Sequence, residues 1–200
     1  DPTSVTIDAG GAGTCVTMNP VPGLYETKLI GVTVTGGDNA ASGGGIDVSG
    51  FAHIRNCIVR DNVANNGAGI RAYGGVEIVQ CIITDNSTYG GGGVAVYCSD
   101  VAQPRIANCV VVDNDVPAGQ SAIHSLSTNL LLSSTIVYGN GDGVSFTHGG
   151  GAPILRYSLI EGGWAGFEIL DEDPMFVDLA GNDFRLQPGS PCIDSGTNIA

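Results

Sequence analysis

One seven-residue phrase returns four times at nearly constant spacing, and this restricts the chain to a narrow class of folds. The copies are Asn56-Cys57-Ile58-Val59-Arg60-Asp61-Asn62, Gln80-Cys81-Ile82-Ile83-Thr84-Asp85-Asn86, Asn108-Cys109-Val110-Val111-Val112-Asp113-Asn114 and, more diverged, Ser134-Thr135-Ile136-Val137-Tyr138-Gly139-Asn140, at offsets of 24, 28 and 26 residues. Weaker copies flank them at Gly31 to Gly37 and at Tyr157 to Gly163. Periods of this length belong to solenoids, in which each repeat buries its apolar side only by stacking on its neighbours.

Within a repeat, apolar and polar residues alternate with period two, so the coils are built of strands. One circuit reads as a strand at Asn56 to Arg60, a turn through Asn62 to Ala68, a strand at Gly69 to Tyr73, a Gly74-Gly75 turn and a strand at Val76 to Val79. Aligned on the small-residue runs before them, Ile46, Ile70, Val94, Ile123 and Val144 are expected to stack as an inward aliphatic ladder. Asp47, Arg71, Ala95, His124 and Ser145 then face out.

The "G-G-G-I" and "N-C-x-I-x-x-N" phrases resemble those of the right-handed parallel β-helix of pectate-lyase-like and bacterial surface proteins, over about residues 29 to 163. The segments Asp173-Pro174-Met175-Phe176-Val177-Asp178 and Asp183 to Gly196 are similar to the C-terminal part of secreted bacterial β-helix proteins of the choice-of-anchor type. The resemblance implies an all-β, right-handed parallel β-helix of about six to seven coils, each of three short strands. It also implies a secreted or cell-surface location. It fixes function poorly, because this solenoid hosts lyases, hydrolases, adhesins and inert surface fibres alike. A single domain is expected over 1–200, with an N-terminal coil at 1–28, repeat coils at 29–163 and an irregular C-terminal capping segment at 164–200.

Seven Lys plus Arg against twenty Asp plus Glu give a net charge of −13. So acidic a chain repels nucleic acid and anionic membrane surfaces at long range, and polyanionic sugars would need a local basic patch or bridging cations. No apolar run reaches the roughly 18 residues that a membrane-spanning helix needs.

Two ladders are expected inside the turns. Asn62, Asn86, Asn114 and Asn140 sit where each coil rounds a corner, and side-chain amides stacked at the rung spacing satisfy turn backbone groups left unpaired by the sheets. This makes the Asn86-Ser87-Thr88 glycosylation acceptor an incidental match, since an inward ladder position is inaccessible. Cys57, Cys81 and Cys109 form the second ladder. One rung brings their Cα atoms within disulfide range, but parallel strands hold the Cβ atoms too far apart for relaxed geometry, so stacked free thiols are expected. The six cysteines show no zinc-type spacing.

The candidate ligand-binding face comprises Asp47, Arg71 and His124 on one outward file, with Tyr73 and Tyr97 two residues farther along in adjacent coils. A carboxylate, a guanidinium, an imidazole and two sugar-stacking rings suit a uronic acid. Asp47 and His124 lie three rungs apart, however, roughly 14 Å, too far to act on one atom. Asp171, Glu172, Asp173 and Asp178 supply hard oxygens and are the candidate calcium ligands, without an EF-hand or nonapeptide calcium repeat around them. No other cofactor is expected.

A strand-like Ser4 to Asp8 offers little before it to act as a cap, so association through the rod ends, or continuation into a longer parent chain, is expected. The reading that results is a secreted or cell-surface structural or adhesive protein without catalysis of its own. The alternative is a carbohydrate-active enzyme or sugar-binding module using the Asp47 face.

Overall fold

The computed structural model describes residues 2–20, 27–99, 103–126, 129–149 and 151–196. The chain winds through about six coils with three recurring walls. The first wall stacks Thr27–Ile30, Ala52–Arg55, Val76–Val79, Arg105–Ala107 and Leu131–Ser133. The second stacks Thr6–Asp8, Thr33–Thr35, Ile58–Arg60, Ile82–Thr84, Val110–Val112 and Ile136–Tyr138. The long strand Ile154–Ile160 closes both, pairing with Leu131–Ser133 and then with Ile136–Tyr138. The third wall stacks Val16–Met18, Ile46–Ser49, Ile70–Tyr73, Val96–Ser99, Ser121–Ser125 and Val144–His148. Among the described residues the wall strands of neighbouring coils pair in parallel, and one isolated antiparallel bridge, Gly13 to Asp38, joins the first coils. Three of the coils add a short fourth strand, at Asp38–Ser42, Val63–Asn66 and Ser87–Thr88.

Period-two alternation turns each wall into one inward and one outward set of files. Leu29, Ile54, Ile78, Ile106, Leu132 and Leu155 stack inside the first wall. Val34, Val59, Ile83, Val111, Val137 and Ile160 stack inside the second. In the third wall the inward file is Val16, Ile46, Ile70, Val96, Ile123 and Phe146. This corrects the expected ladder, because Val96 and Phe146 fill the places assigned to Val94 and Val144. The stretch from corner to strand differs in length between coils, running from Asn62 to Ile70 in one and from Asn86 to Val96 in the next. Alignment on the glycine runs therefore slips by two residues there. Val94 is buried all the same, while the side chains of Val144 and Ser145 lie outside the described residues.

The two ladders share one task. The first and second walls end at residues with positive φ: Asn56, Gln80, Asn108, Ser134 and Tyr157 after the first, and Asp61, Asp85, Asp113 and Gly139 after the second. These left-handed positions swing the chain round, and Asn and Asp adopt them at least cost. The residue that follows points inward and donates to the carbonyl two positions back. Cys57 Sγ reaches Arg55 O at 3.2 Å, Cys81 Sγ reaches Val79 O at 3.3 Å and Cys109 Sγ reaches Ala107 O at 3.2 Å. Thr135 Oγ1 and Ser158 Oγ make the same bond at 3.0 Å. At the other corner Asn62, Asn86, Asn114 and Asn140 donate from Nδ2 to Arg60, Thr84, Val112 and Tyr138. The asparagines also join coils, with Nδ2 to Oδ1 distances of 3.0 Å from Asn62 to Asn86, 2.9 Å to Asn114 and 2.8 Å to Asn140. All four are buried, Asn86 of the glycosylation match among them, and all six cysteines are free thiols.

The C-terminal segment divides its work. Trp164 and Ile169 pack against the core, with the Trp164 ring edge-on to Phe146 at 5.2 Å, and Phe167–Leu170 adds one strand beside Ile154–Ile160. That part covers the rod's end as expected. Residues 171–196 instead turn onto the flank of the second wall. Leu179 lies against Gly139, and Leu186, Cys192, Ser195 and Gly196 face Asn108 to Val110, Ser134 to Ile136, Tyr157 and Leu159. The antiparallel pair Phe176–Asp178 and Asp183–Leu186 stiffens this strap, helped by Phe176 against Phe184 at 5.6 Å.

Asn86→Ala removes amide bonds on both sides and leaves buried partners unpaired, so urea unfolding should show a loss of about 1–3 kcal/mol. Cys81→Ser should cost no more than roughly 1 kcal/mol, since Thr135 and Ser158 already make the corner bond with oxygen. In thiol labelling of the native protein, half-buried Cys15 and Cys192 should react first. Cys57, Cys81, Cys98 and Cys109 should wait for unfolding; burial pushes the Cys98 thiol up to about 12.

Candidate functional site

The third wall brings the nominated face together more tightly than spacing alone suggests. Its outward file is Thr17, Asp47, Arg71, Tyr97, His124 and Thr147, one residue per rung. Tyr97 is therefore a member of the file, between Arg71 and His124, and not two residues beyond it. The same slip of phase that displaced Val94 accounts for this. Ala95, expected beside Arg71 and His124 in the outward file, is buried. Tyr73 does lie two residues farther on, in register with Ser49 and Ser99.

Neighbouring side chains on this file are paired with one another. Arg71 Nη1 donates to Asp47 Oδ1 at 2.8 Å, and its guanidinium lies 5.9 Å from the centre of the Tyr73 ring. The Tyr97 and His124 rings stack at 5.4 Å with 12° between their planes. His124 Nδ1 sits 2.6 Å from Thr147 Oγ1, which is itself 2.9 Å from Ser121 Oγ. A shallow cleft of ≈ 360 Å³ opens beside the stack, lined by Asn66, Gly92, Tyr97, Gln120, His124 and Thr147. Burial, and then the charge of His148, hold the His124 pKa below the ordinary histidine value. Relative to a free histidine, the neutral imidazole is favoured over the imidazolium.

Two further groups went unremarked in the sequence. At the ridge between the third and first walls the Phe51 ring, 73% exposed, lies against Gly75 of the next coil. A Cβ at Gly75 would strike that ring. Tyr73, 48% exposed, stands on the same ridge. On the first wall Glu77 Oε2 accepts from Arg55 Nη2 at 2.8 Å and meets His53 Nδ1 at 2.9 Å. Partial burial works to raise the Glu77 pKa, but the bonds from His53 and Arg55 outweigh it and hold the carboxyl low. The signal was present, since His53, Glu77 and Arg105 each sit beside an inward isoleucine in successive coils.

The four candidate calcium ligands are not drawn to one point. Asp173 Oδ1 accepts from Met175 N at 2.7 Å and Asp178 Oδ1 from Gly181 N at 3.0 Å, each closing a local turn, while Asp171 Oδ1 accepts from Gly162 N at 2.9 Å, nine residues away. Glu172 is exposed. Among the described residues no three His, Cys, Asp or Glu side chains are grouped as a metal site.

In an NMR titration the His124 ring should protonate below the ordinary histidine range, and His148→Asn should shift it upward. Because the folded protein holds this proton less tightly than the unfolded chain, the His124 contribution to stability is full above the unfolded pKa. It declines as the pH falls through that value toward the folded one.

No curated protein and no solved structure matches the chain. The family model described as a right-handed beta helix region matches residues 15–184. That span takes in all three walls and the end-covering Trp164, and with the parallel coils it shows that the chain belongs to the right-handed β-helix family.

Proposed function

We propose that the chain is a secreted or cell-surface β-helix module with a structural or adhesive role and no catalytic step of its own. The observation that supports this reading best is how the ionisable groups of the third wall are spent. Asp47 is neutralised by Arg71 on the next rung, and His124 is held between Tyr97 and Thr147. Acid–base catalysis requires both partners within hydrogen-bond reach of one substrate atom, and three rungs of roughly 14 Å separate Asp47 from His124. Calcium at the C-terminal carboxylates stays outside this proposal.

Sugar binding by the same face is the second reading. Exposed rings at Phe51 and Tyr73, flanking Arg71, and the cleft beside the Tyr97–His124 stack favour it. Aromatic rings offer an apolar body to a sugar face while polar neighbours orient its hydroxyls.

Association through the rod ends belongs to the first reading. Among the described residues Val16–Met18 is an outer strand of the third wall and is paired on one side only, while at the other end Trp164 packs over Phe146. Unpaired rung groups are a template for a further strand.

Incubation with pectate, alginate or chondroitin should release no unsaturated product. Release that is abolished by Arg71→Ala or His124→Ala would replace the structural reading with an enzymatic one. Sedimentation should show species larger than one copy, and a monodisperse monomer would count against end-on association.

A further inference from the structure

At the C-terminal end of the rod a glycine turn builds a cleft. The strand Ile154–Ile160 runs into Glu161, and Gly162 and Gly163, at φ of 86° and 68°, reverse the chain in a conformation that residues with a Cβ rarely adopt. Trp164 is thereby laid over Phe146, the last inward residue of the third wall, at 5.2 Å. Beside this turn opens a cleft of ≈ 530 Å³ lined by Trp164, Phe146, Thr147, Glu161 and four glycines. Negative charge gathers around it. Glu161 Oε2 accepts from Gly139 N at 2.9 Å, a bond that uses only part of what a carboxylate can accept. Asp171 Oδ1 accepts from Gly162 N at 2.9 Å, with its Oδ2 beside Gly163 of the cleft wall. None of the residues lining the cleft is Lys or Arg. The second-corner file of Asp61, Asp85 and Asp113 continues through Gly139 to this same end. The phenol of Tyr138 nearby has its pKa raised by partial burial and then by the charges of Asp173 and Glu161, which records the same negative field.

We propose that this end cleft binds a small organic cation, a primary alkylammonium whose hydrocarbon part lies against Trp164 and whose charged group faces Glu161 and Asp171. Three features carry it. An aromatic ring beside carboxylates is the combination that recognises an ammonium group, since the ring quadrupole attracts the cation and the carboxylate oxygens accept its N–H bonds. The volume lies in the range of small-molecule sites, and the glycine lining leaves room at the turn. The net charge of −13 draws cations toward the molecule and repels anions from a cleft that offers them no Lys or Arg. A purely apolar ligand would gain nothing from the two carboxylates. The cleft shares only Thr147 with the outward file of the third wall, so this site stands or falls separately from the structural and sugar-binding readings given above.

Trp164 is the sole tryptophan of the chain, so its emission reports from the cleft itself. The intact chain is titrated at fixed pH with n-butylammonium chloride, with butyrate, n-butanol and methyl glucoside as the anionic, neutral and sugar controls. A saturable change in emission with butylammonium, matched by calorimetry and weakening as salt rises, is the expected result. Butanol and methyl glucoside should bind at least about tenfold more weakly, and butyrate not at all. Glu161→Gln keeps an oxygen that can accept from Gly139 but removes the charge, and should weaken butylammonium by about tenfold, with Asp171→Asn acting in the same direction. Equal binding of butanol would reduce the site to an apolar cleft, and equal or tighter binding of methyl glucoside would assign it to a sugar; either result overturns the proposal. So would the absence of a saturable response at low salt, or a double variant Glu161→Gln, Asp171→Asn that is folded by circular dichroism and binds as before.

Discussion

The corner bond governs this molecule. A residue in the left-handed region turns the chain, and the side chain after it reaches inward to the carbonyl two positions back. At the first corner the carbonyls of Arg55, Val79, Ala107, Ser133 and Arg156 also accept a backbone N–H from the neighbouring coil, so the inward side chain there supplies a second bond, worth about 1 kcal/mol. Cysteine, threonine, serine and asparagine all perform the task here, which explains why the Cys file passes into Thr135 and Ser158 without a break in geometry. Asparagine does more than the others. Its amide donates within the coil while its Oδ1 accepts from the coil before: Asn62 N–H donates to Asn86 Oδ1, and Gly37 N–H donates to Asn62 Oδ1. Register is thereby passed from one rung to the next, and with it the position of every outward side chain.

Once the register is fixed, residues some 25 positions apart in sequence become neighbours about 4.8 Å apart in space. Asp47 and Arg71, His53 and Glu77, and Tyr97 and His124 are pairs of this kind. A short deletion between corner and wall would slide a whole coil past its neighbours and exchange these partners. An inserted glycine, by contrast, can bulge outward in the stretch before the third wall. The Asn86 coil shows this, since its longer run through Gly90 to Gly93 is absorbed before Val96 rejoins the file.

That same tolerance sets what could be read from the sequence. The corner phrases repeat with their polar donors intact, so the inward files of the first and second walls, both ladders and the parallel stacking were legible. The third wall was legible in kind but not in phase, because Gly91 to Gly93 align equally well in two registers and only backbone pairing chooses Val96 over Val94. The error carried directly into the candidate face, where Tyr97 was set two residues from its true place beside Arg71. The flank strap was not legible at all. It lies against Asn108 to Val110 and Ser134 to Ile136, and nothing in a local alternation pattern can announce a cover that comes from another part of the chain.

Charge is organised by the same geometry. At physiological ionic strength fields between exposed charges fade over about 8 Å, less than two rungs of this solenoid. An approaching polymer therefore feels the net charge only weakly from afar and, at contact, responds to whichever wall it meets. On the third wall it meets an Asp–Arg pair that has neutralised itself, and at the second corner it meets Asp61, Asp85 and Asp113 stacked on consecutive rungs. There partial burial, and then the charge of Asp85 on the next rung, raise the Asp113 pKa, so the second corner concentrates negative charge where the third wall has cancelled it.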